Sequence, residues 1–88
     1  MFLHLGADVV VNVKSIIAIM DMDTSSTSKI TREYLKNAEK SNGVINVSFE
    51  DLPKSYVVCE EKNETKVYIS PISSVTLLKR ANNSDFIK

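Results

Sequence analysis

Ser55–Ser70, SYVVCEEKNETKVYIS, carries the clearest hairpin signal in the chain. Ser55–Glu60 and Lys66–Ser70 are rich in β-branched and aromatic residues, which favour strands. The segment between them is polar and contains Lys62-Asn63-Glu64, and asparagine is common in turns. The sequence therefore predicts two antiparallel strands joined at this turn, with the other elements arranged around them.

The first part of the chain is predicted to form three short strands, Phe2–Leu5, Val9–Val11 and Ile16–Met20. Gly6-Ala7-Asp8 separates the first two, and the polar Asn12–Ser15 separates the second from the third. The third run is apolar without alternation, which predicts a strand covered on both faces. A loop is predicted to follow at Asp21–Ser28.

Lys29–Asn42 is the strongest helix prediction, with Gly43 as its C-terminal stop. Its predicted apolar face consists of Ile30, Tyr34, Leu35 and Ala38. Its four basic residues recur at spacings of 3, 4 and 4 and form a stripe opposite that face: Lys29, Arg32, Lys36 and Lys40. A solvated outer face is one interpretation of this stripe, and a nucleic-acid contact is the other.

Val44–Phe49 predicts another strand, which Pro53 separates from the central hairpin. After Ser70-Pro71, either Ser73 or Ser74 is expected to cap a final helix through Ala81. The predicted apolar side of that helix consists of Val75, Leu77, Leu78 and Ala81.

The order β-β-β-α-β-β-β-α predicts a small α+β domain. Its mainly antiparallel sheet would contain five or six short strands, with two helices. We assign residues 1–82 to this single domain and residues 83–88 to a flexible C-terminal tail. A domain this small buries a limited share of its surface, so uncovered sheet edges or apolar patches favour self-association.

The amino-acid composition favours a globular chain over a disordered or membrane-spanning one. The 88 residues are 43% hydrophobic and 25% charged, which is typical of a globular chain and not of a disordered one. No run is long enough to span a bilayer, and the N-terminus lacks the features of a signal peptide, so a cytoplasmic location is expected. The net charge of zero is unevenly distributed, with a net of −3 over residues 41–61 and +3 over residues 62–88.

The residues suited to catalysis are few. The chain has one histidine, His4, which a strand would turn away from its apolar neighbours, and one cysteine, Cys59, expected to be a buried strand residue. Asp21-Met22-Asp23 resembles the start of a calcium loop but lacks the glycine and final glutamate. We therefore expect no enzyme activity, no cofactor, no metal site and no small-molecule substrate.

Three stretches resemble a known family: Phe2–Asp21 (FLHLGADVVVNVKSIIAIMD), Pro53–Val58 (PKSYVV) and Tyr68–Ala81 (YISPISSVTLLKRA). In their order and spacing they are similar to the bacterial extracellular-matrix regulatory proteins, RemA and RemB, and most closely to the RemB branch. The resemblance implies a small cytosolic protein. It also implies a ring-like homo-oligomer larger than a dimer that binds duplex DNA near matrix genes and activates their transcription.

The resemblance also assigns DNA-contacting positions. The family's arginine in the turn after the second strand corresponds to Lys14, which keeps the charge without the bidentate geometry of arginine. The family's arginine pair before the central hairpin corresponds to Leu52–Ser55, where Lys54 alone is basic, beside Glu50 and Asp51.

Two functions remain open. The first is a DNA-binding transcriptional regulator of extracellular-matrix genes that contacts phosphates through Lys14 and Lys54, or through the helix stripe. The second is an oligomeric protein-interaction or structural module that does not bind DNA.

Overall fold

The computed structural model describes residues 1–22 and 29–86, and within these ranges it contains six strands, two α-helices and one 3-10 turn. The strands are β1 (Phe2–Gly6), β2 (Val9–Asn12), β3 (Ile16–Asp21), β4 (Val44–Asn46), β5 (Ser55–Glu61) and β6 (Glu64–Ser70). The helices are α1 (Lys29–Lys40) and α2 (Ser74–Phe86), and the 3-10 turn is Val13–Ser15. The predicted element order and α+β class are confirmed. Of the loop predicted at Asp21–Ser28, Asp21 ends β3, and residues 23–28 lie outside the described residues.

The strands form two sheets. β1 and β2 pair as an antiparallel hairpin, and the other four are ordered β3-β5-β6-β4. β5 and β6 pair antiparallel from Ser55–Ser70 to Glu61–Glu64, which confirms the predicted central hairpin. β3 is antiparallel to β5, whereas β4 is parallel to β6. β3 and β4 therefore run in the same direction at the two edges of the larger sheet.

The four-stranded sheet lies between two apolar layers, because alternate residues of β5 face opposite sides. One side packs against the β1–β2 hairpin and α2, through a core of Leu3, Leu5, Val11, Val47, Val57, Cys59 and Leu77. The other side packs against α1, through a core of Ala38, Tyr56, Val58 and Val67. β3 contributes to both cores, with Ile16 and Ile19 on one side and Ala18 and Met20 on the other. The expectation that β3 is covered on both faces is confirmed, except at Ile17, which is exposed at an irregularity in the pairing.

The end of α1 and the left-handed residue that follows it differ from the prediction. The helix ends at Lys40, and the left-handed residue after it is Asn42, with a φ of 57°, not Gly43. The Gly43 amide donates to the Ala38 carbonyl at 2.6 Å, which closes the helix. Gly43 is needed for a close approach, since a Cβ there would lie 2.5 Å from the Thr65 carbonyl oxygen.

The strand predicted at Val44–Phe49 is shorter than expected. β4 ends at Asn46, and the Val47 amide makes one further bond to the Ile69 carbonyl. Phe49 is 89% exposed, so the alternation that predicted a strand there does not correspond to a buried face.

The final helix also differs from its prediction. Ser73 is the cap, because its hydroxyl accepts from the Thr76 amide at 3.2 Å. The helix extends past Ala81 to Phe86, so part of the segment predicted as a tail is helical, and residues 87–88 lie outside the described residues. Of the predicted apolar side, Leu77 is buried and Ala81 packs against the core. Val75 and Leu78 are exposed, so the predicted apolar side is only partly buried.

Candidate functional site

Lys14 lies on a short turn that three hydrogen bonds hold in place. The side-chain oxygen of Asn12 accepts from the Lys14 amide at 3.0 Å, and the Ile16 amide donates to the Val13 carbonyl. The Val13 amide in turn donates to the Met1 carbonyl at 3.0 Å. The Lys14 side chain is exposed, so the turn presents an ammonium group to solvent on a fixed backbone.

Lys54 is held by strand-like backbone bonds just before β5. Its amide donates to the Ser70 carbonyl at 2.8 Å, and its carbonyl accepts from the Met22 amide at 3.0 Å. The Ser70 hydroxyl donates to the Leu5 carbonyl at 2.6 Å and accepts from the Ile72 amide at 3.1 Å. Ser70 therefore connects the backbone that carries Lys54 to the β1–β2 hairpin.

The surroundings of Lys54 are acidic and partly apolar. An open groove of about 520 Å³ is lined by Glu50, Asp51, Leu52, Lys54, Pro71 and Ile72. The Ser48 hydroxyl donates to the Asp51 carboxylate at 3.0 Å. Two carboxylates against one ammonium oppose the approach of a phosphate, so Lys54 is the weaker of the two candidate contacts.

The structure does not bring Lys14 and Lys54 together. Ile16 pairs with Cys59 at one end of β3, and Asp21 pairs with Ser55 at the other. Lys14 precedes the first end and Lys54 lies beside the second. The intervening strand spans about 17 Å, from its length at about 3.3 Å per residue. One protomer therefore offers two separate charges and not a single basic cluster.

The basic stripe of α1 lies on a different side of the molecule. Lys29, Arg32, Lys36 and Lys40 are all exposed. Tyr34, Leu35 and Ala38 face the sheet, and the side chain of Ile30 lies outside the described residues. Val13, in the Lys14 turn, packs against the opposite core. The stripe and the Lys14 turn are thus alternative surfaces, not parts of one.

His4 and Cys59 both have surroundings that suit a structural role and not a catalytic one. Nε2 of the exposed His4 donates to the Ala7 carbonyl at 2.7 Å, across the turn between β1 and β2. Cys59 is fully buried, and burial raises its pKa to about 11, with Glu61 adding to the rise and Lys66 opposing it. A thiol with so high a pKa is protonated near neutral pH and is a poor nucleophile.

Over residues 1–22 and 29–86, no three His, Cys, Asp or Glu side chains lie close enough together to hold a metal ion. Asp23, of the calcium-loop resemblance, lies outside these ranges.

Sequence reasoning missed the contributions of Asn12 and Ser70. Asn12 belongs to a recognisable pattern, because an asparagine side chain commonly accepts from the amide two residues ahead. Ser70 carries no such signal, since its partner Leu5 lies 65 positions away.

The helices of the described residues are all too short or too polar to cross a membrane.

Comparison with known proteins adds two findings. Residues 2–81 match the family described as RemA-like: Extracellular matrix regulatory protein A-like. The chain is 40% identical over 81 residues to Extracellular matrix regulatory protein B of Bacillus subtilis (strain 168), covering 92% of this chain and 90% of that protein. The matched region includes both lysines, the hairpin and the first part of α2.

Proposed function

Because the chain belongs to the RemA-like family of extracellular matrix regulatory proteins and is RemB-like, we propose that it is a DNA-binding regulator of extracellular-matrix gene transcription. In this proposal it acts in the cytoplasm as a ring-like homo-oligomer that contacts DNA phosphates. It has no catalytic activity, cofactor, metal or small-molecule substrate.

The observation that carries the proposal is the Lys14 turn. It lies at the position where a DNA contact is expected from the family resemblance, and it presents an exposed ammonium group on a hydrogen-bonded backbone. Lysine binds phosphate as a point charge and does not read base edges in the bidentate way of arginine. The expected contact is therefore to the phosphate backbone and independent of sequence.

Affinity in this mechanism comes from repetition. A single lysine contributes little, but a ring repeats Lys14 and Lys54 in every copy, and linked contacts add avidity. Each neutralised phosphate releases counterions, so binding falls steeply as salt rises.

The assembly draws support from exposed apolar side chains. Phe49 and Leu52, on the segment between β4 and β5, are 89% and 83% exposed. Side chains of this kind favour burial between copies of a chain. Their placement outside the two cores leaves them available for such contacts.

The test is a salt titration of binding to one long duplex by the wild-type protein, Lys14→Ala and Lys36→Ala. Lys36 lies on the α1 stripe and is the matched control, because both substitutions remove one exposed lysine charge. We expect Lys14→Ala to weaken binding by more than tenfold at low salt and to reduce the salt slope, since the loss recurs in every copy. Lys36→Ala should change affinity by about twofold or less.

If Lys36→Ala abolishes binding and Lys14→Ala binds as the wild type does, the DNA contact lies on the α1 stripe and not on the Lys14 turn. Circular dichroism and melting temperature of each variant show whether the fold is retained.

A second function is favoured by the charges around Lys54. The flanking Glu50 and Asp51, together with a net charge of zero, suit an oligomeric protein-interaction or structural module without DNA binding. Absence of wild-type binding to duplex DNA at low salt, in a protein that is assembled, would support this second function.

A further inference from the structure

We propose that Asn12 is a positioning residue for Lys14, an inference that rests on the proposed DNA contact. Its side chain would hold the Lys14 backbone in the orientation from which the ammonium group reaches a phosphate. Asn12 itself carries no charge and would not contact DNA through a salt-dependent interaction.

The geometry of the turn supports this role. Asn12 is extended, with φ of −73° and ψ of 126°, and its side-chain oxygen accepts from the Lys14 amide at 3.0 Å. The remaining bonds of the turn involve the neighbouring amides of Val13 and Ile16. The Asn12 side chain is therefore the partner of the Lys14 amide, while the Ile16 amide holds the Val13 carbonyl of the same peptide unit.

Lys54 provides a contrast within the same molecule. Its amide and carbonyl are both bonded to other backbone groups, those of Ser70 and Met22. Substituting a neighbouring side chain leaves those two bonds in place. Lys14 differs because its amide is bonded to a side chain, so a single substitution removes that bond and leaves its peptide unit held only through the Val13 carbonyl.

Loss of the hydrogen bond between Asn12 and Lys14 has a larger effect on DNA binding in an assembly than in one protomer. A loosened turn lets the lysine sample orientations that do not face a phosphate, so part of its ordering must occur on binding. In a ring this cost recurs in each copy. An uncharged residue that never contacts DNA would then control the affinity.

The experiment compares the wild-type protein with Asn12→Ala, Asn12→Ser, Lys14→Ala and the control Asn37→Ala, an exposed asparagine on α1. Serine retains an acceptor that suits a cap, whereas alanine removes it. Binding to the same duplex is measured across a salt series, and exchange of the Lys14 amide hydrogen is measured without DNA.

We expect Asn12→Ala to weaken binding about fivefold or more, with the salt slope unchanged because no charge is lost. Exchange of the Lys14 amide should rise about tenfold or more in the same variant. Asn12→Ser should restore most of both properties, and Asn37→Ala should match the wild type. Lys14→Ala should differ from Asn12→Ala by lowering the slope.

Two results distinguish failure of the positioning role of Asn12 from failure of the DNA contact at Lys14. If Lys14→Ala weakens binding while Asn12→Ala binds as the wild type does, the positioning role is overturned and the proposed DNA contact stands. If the wild type does not bind, or if Lys14→Ala binds as the wild type does, the DNA contact fails and the positioning role fails with it. Should Asn12→Ala not fold, Asn12→Ser decides: loss of binding in a folded Asn12→Ser with normal amide exchange would also overturn the proposal.

Discussion

At the scale of single residues, the buried thiol of Cys59 makes the free energy of unfolding depend on pH. Cys59 lies on β5 and has no exposed surface. Burial, followed by the nearby Glu61, raises its pKa from 9.0 to about 11, against the opposing effect of Lys66. The folded state therefore keeps this thiol protonated at pH values where the unfolded chain ionises it.

We predict that this thiol lowers the free energy of unfolding as pH rises from about 9 towards 11. The unfolded chain releases the proton near pH 9 and the folded chain near 11, so ionisation favours unfolding between them. The measurement is denaturant unfolding of the wild type and Cys59→Ala at pH 8 and at pH 10.5. The stability advantage of the wild type over the variant should shrink at the higher pH.

Comparison with the variant is needed because the pKa of Tyr68 is also raised, mainly by burial, and acts in the same direction. Tyr68 is present in both proteins, so the effects of burial and of Glu61 on its pKa cancel in the difference, and only the rise caused by Cys59 is lost with the thiol. An advantage that stays constant across the two pH values would contradict the prediction.

At the scale of elements, the Ser70 hydroxyl holds the β1–β2 hairpin against β6. It donates to the Leu5 carbonyl in a buried bond and accepts from the Ile72 amide in a partly buried one. We predict that Ser70→Ala lowers the free energy of unfolding by about 1–3 kcal/mol, because the Leu5 carbonyl loses a buried partner and the Ile72 amide a partly buried one. Denaturant unfolding measures the change.

The matched control is Ser48→Ala, whose hydroxyl makes an exposed bond to Asp51. It should change stability by no more than about 0.5 kcal/mol. Equal effects of the two substitutions would show that the Ser70 bond adds nothing beyond an exposed one.

The junction of α1 and β4 gives a second prediction at this scale. Gly43→Ala would place a Cβ 2.5 Å from the Thr65 carbonyl oxygen, so the backbone must shift. We expect a loss of about 1–3 kcal/mol in unfolding free energy, as for other overpacked sites. Ser41→Ala, an exposed position in the same turn, should cost less than about 0.5 kcal/mol. Equal losses at the two positions would contradict the role assigned to Gly43.

The same elements show what a sequence can predict. The β5–β6 hairpin is local, with strands rich in β-branched and aromatic residues on either side of Lys62-Asn63, so its pattern is sufficient to locate it. The parallel pairing of β4 with β6 has no local signal, because β4 has three residues and its partner lies beyond β5. Val75 and Leu78 have the spacing of a core face but are exposed, since the space beneath a helix depends on its neighbours.

Some features of the candidate site can be predicted from the sequence, and others depend on the pairing of strands that are distant in the chain. The position of Lys14 in a turn after β2 follows from sequence, and so does its exposure. Its hydrogen bond to Asn12 is short-range and recognisable, whereas the bond that ties Lys54 to Ser70 depends on sheet pairing. The separation of Lys14 from Lys54 along β3 could be known only from the register of β3 on β5.

At the scale of the whole molecule, we predict an assembly larger than a dimer. β3 and β4 are edge strands of the larger sheet in the described part of the chain, and apolar side chains such as Phe49 are exposed. Light scattering at about 50 μM should give a mass above that of two 9.8 kDa protomers. A closed ring should keep this mass on fivefold dilution, whereas an open-ended aggregate should lose mass.

A scattering mass of one protomer at that concentration would contradict the prediction. A mass of two protomers would leave the domain self-associating but without the number of copies that a ring requires.

The contact between Leu5 and Ser70 has a consequence for the time course of folding. The β1–β2 hairpin packs against β6 and α2, which follow it much later in the chain, and the bonded groups are 65 positions apart. Contacts so distant in the chain slow folding, because a long loop must close before they can form. β5 and β6 can pair early, but the β1–β2 hairpin cannot pack until β6 and α2 are present. The Lys14 turn can form with its hairpin, but its placement against the larger sheet is therefore fixed among the last steps of folding.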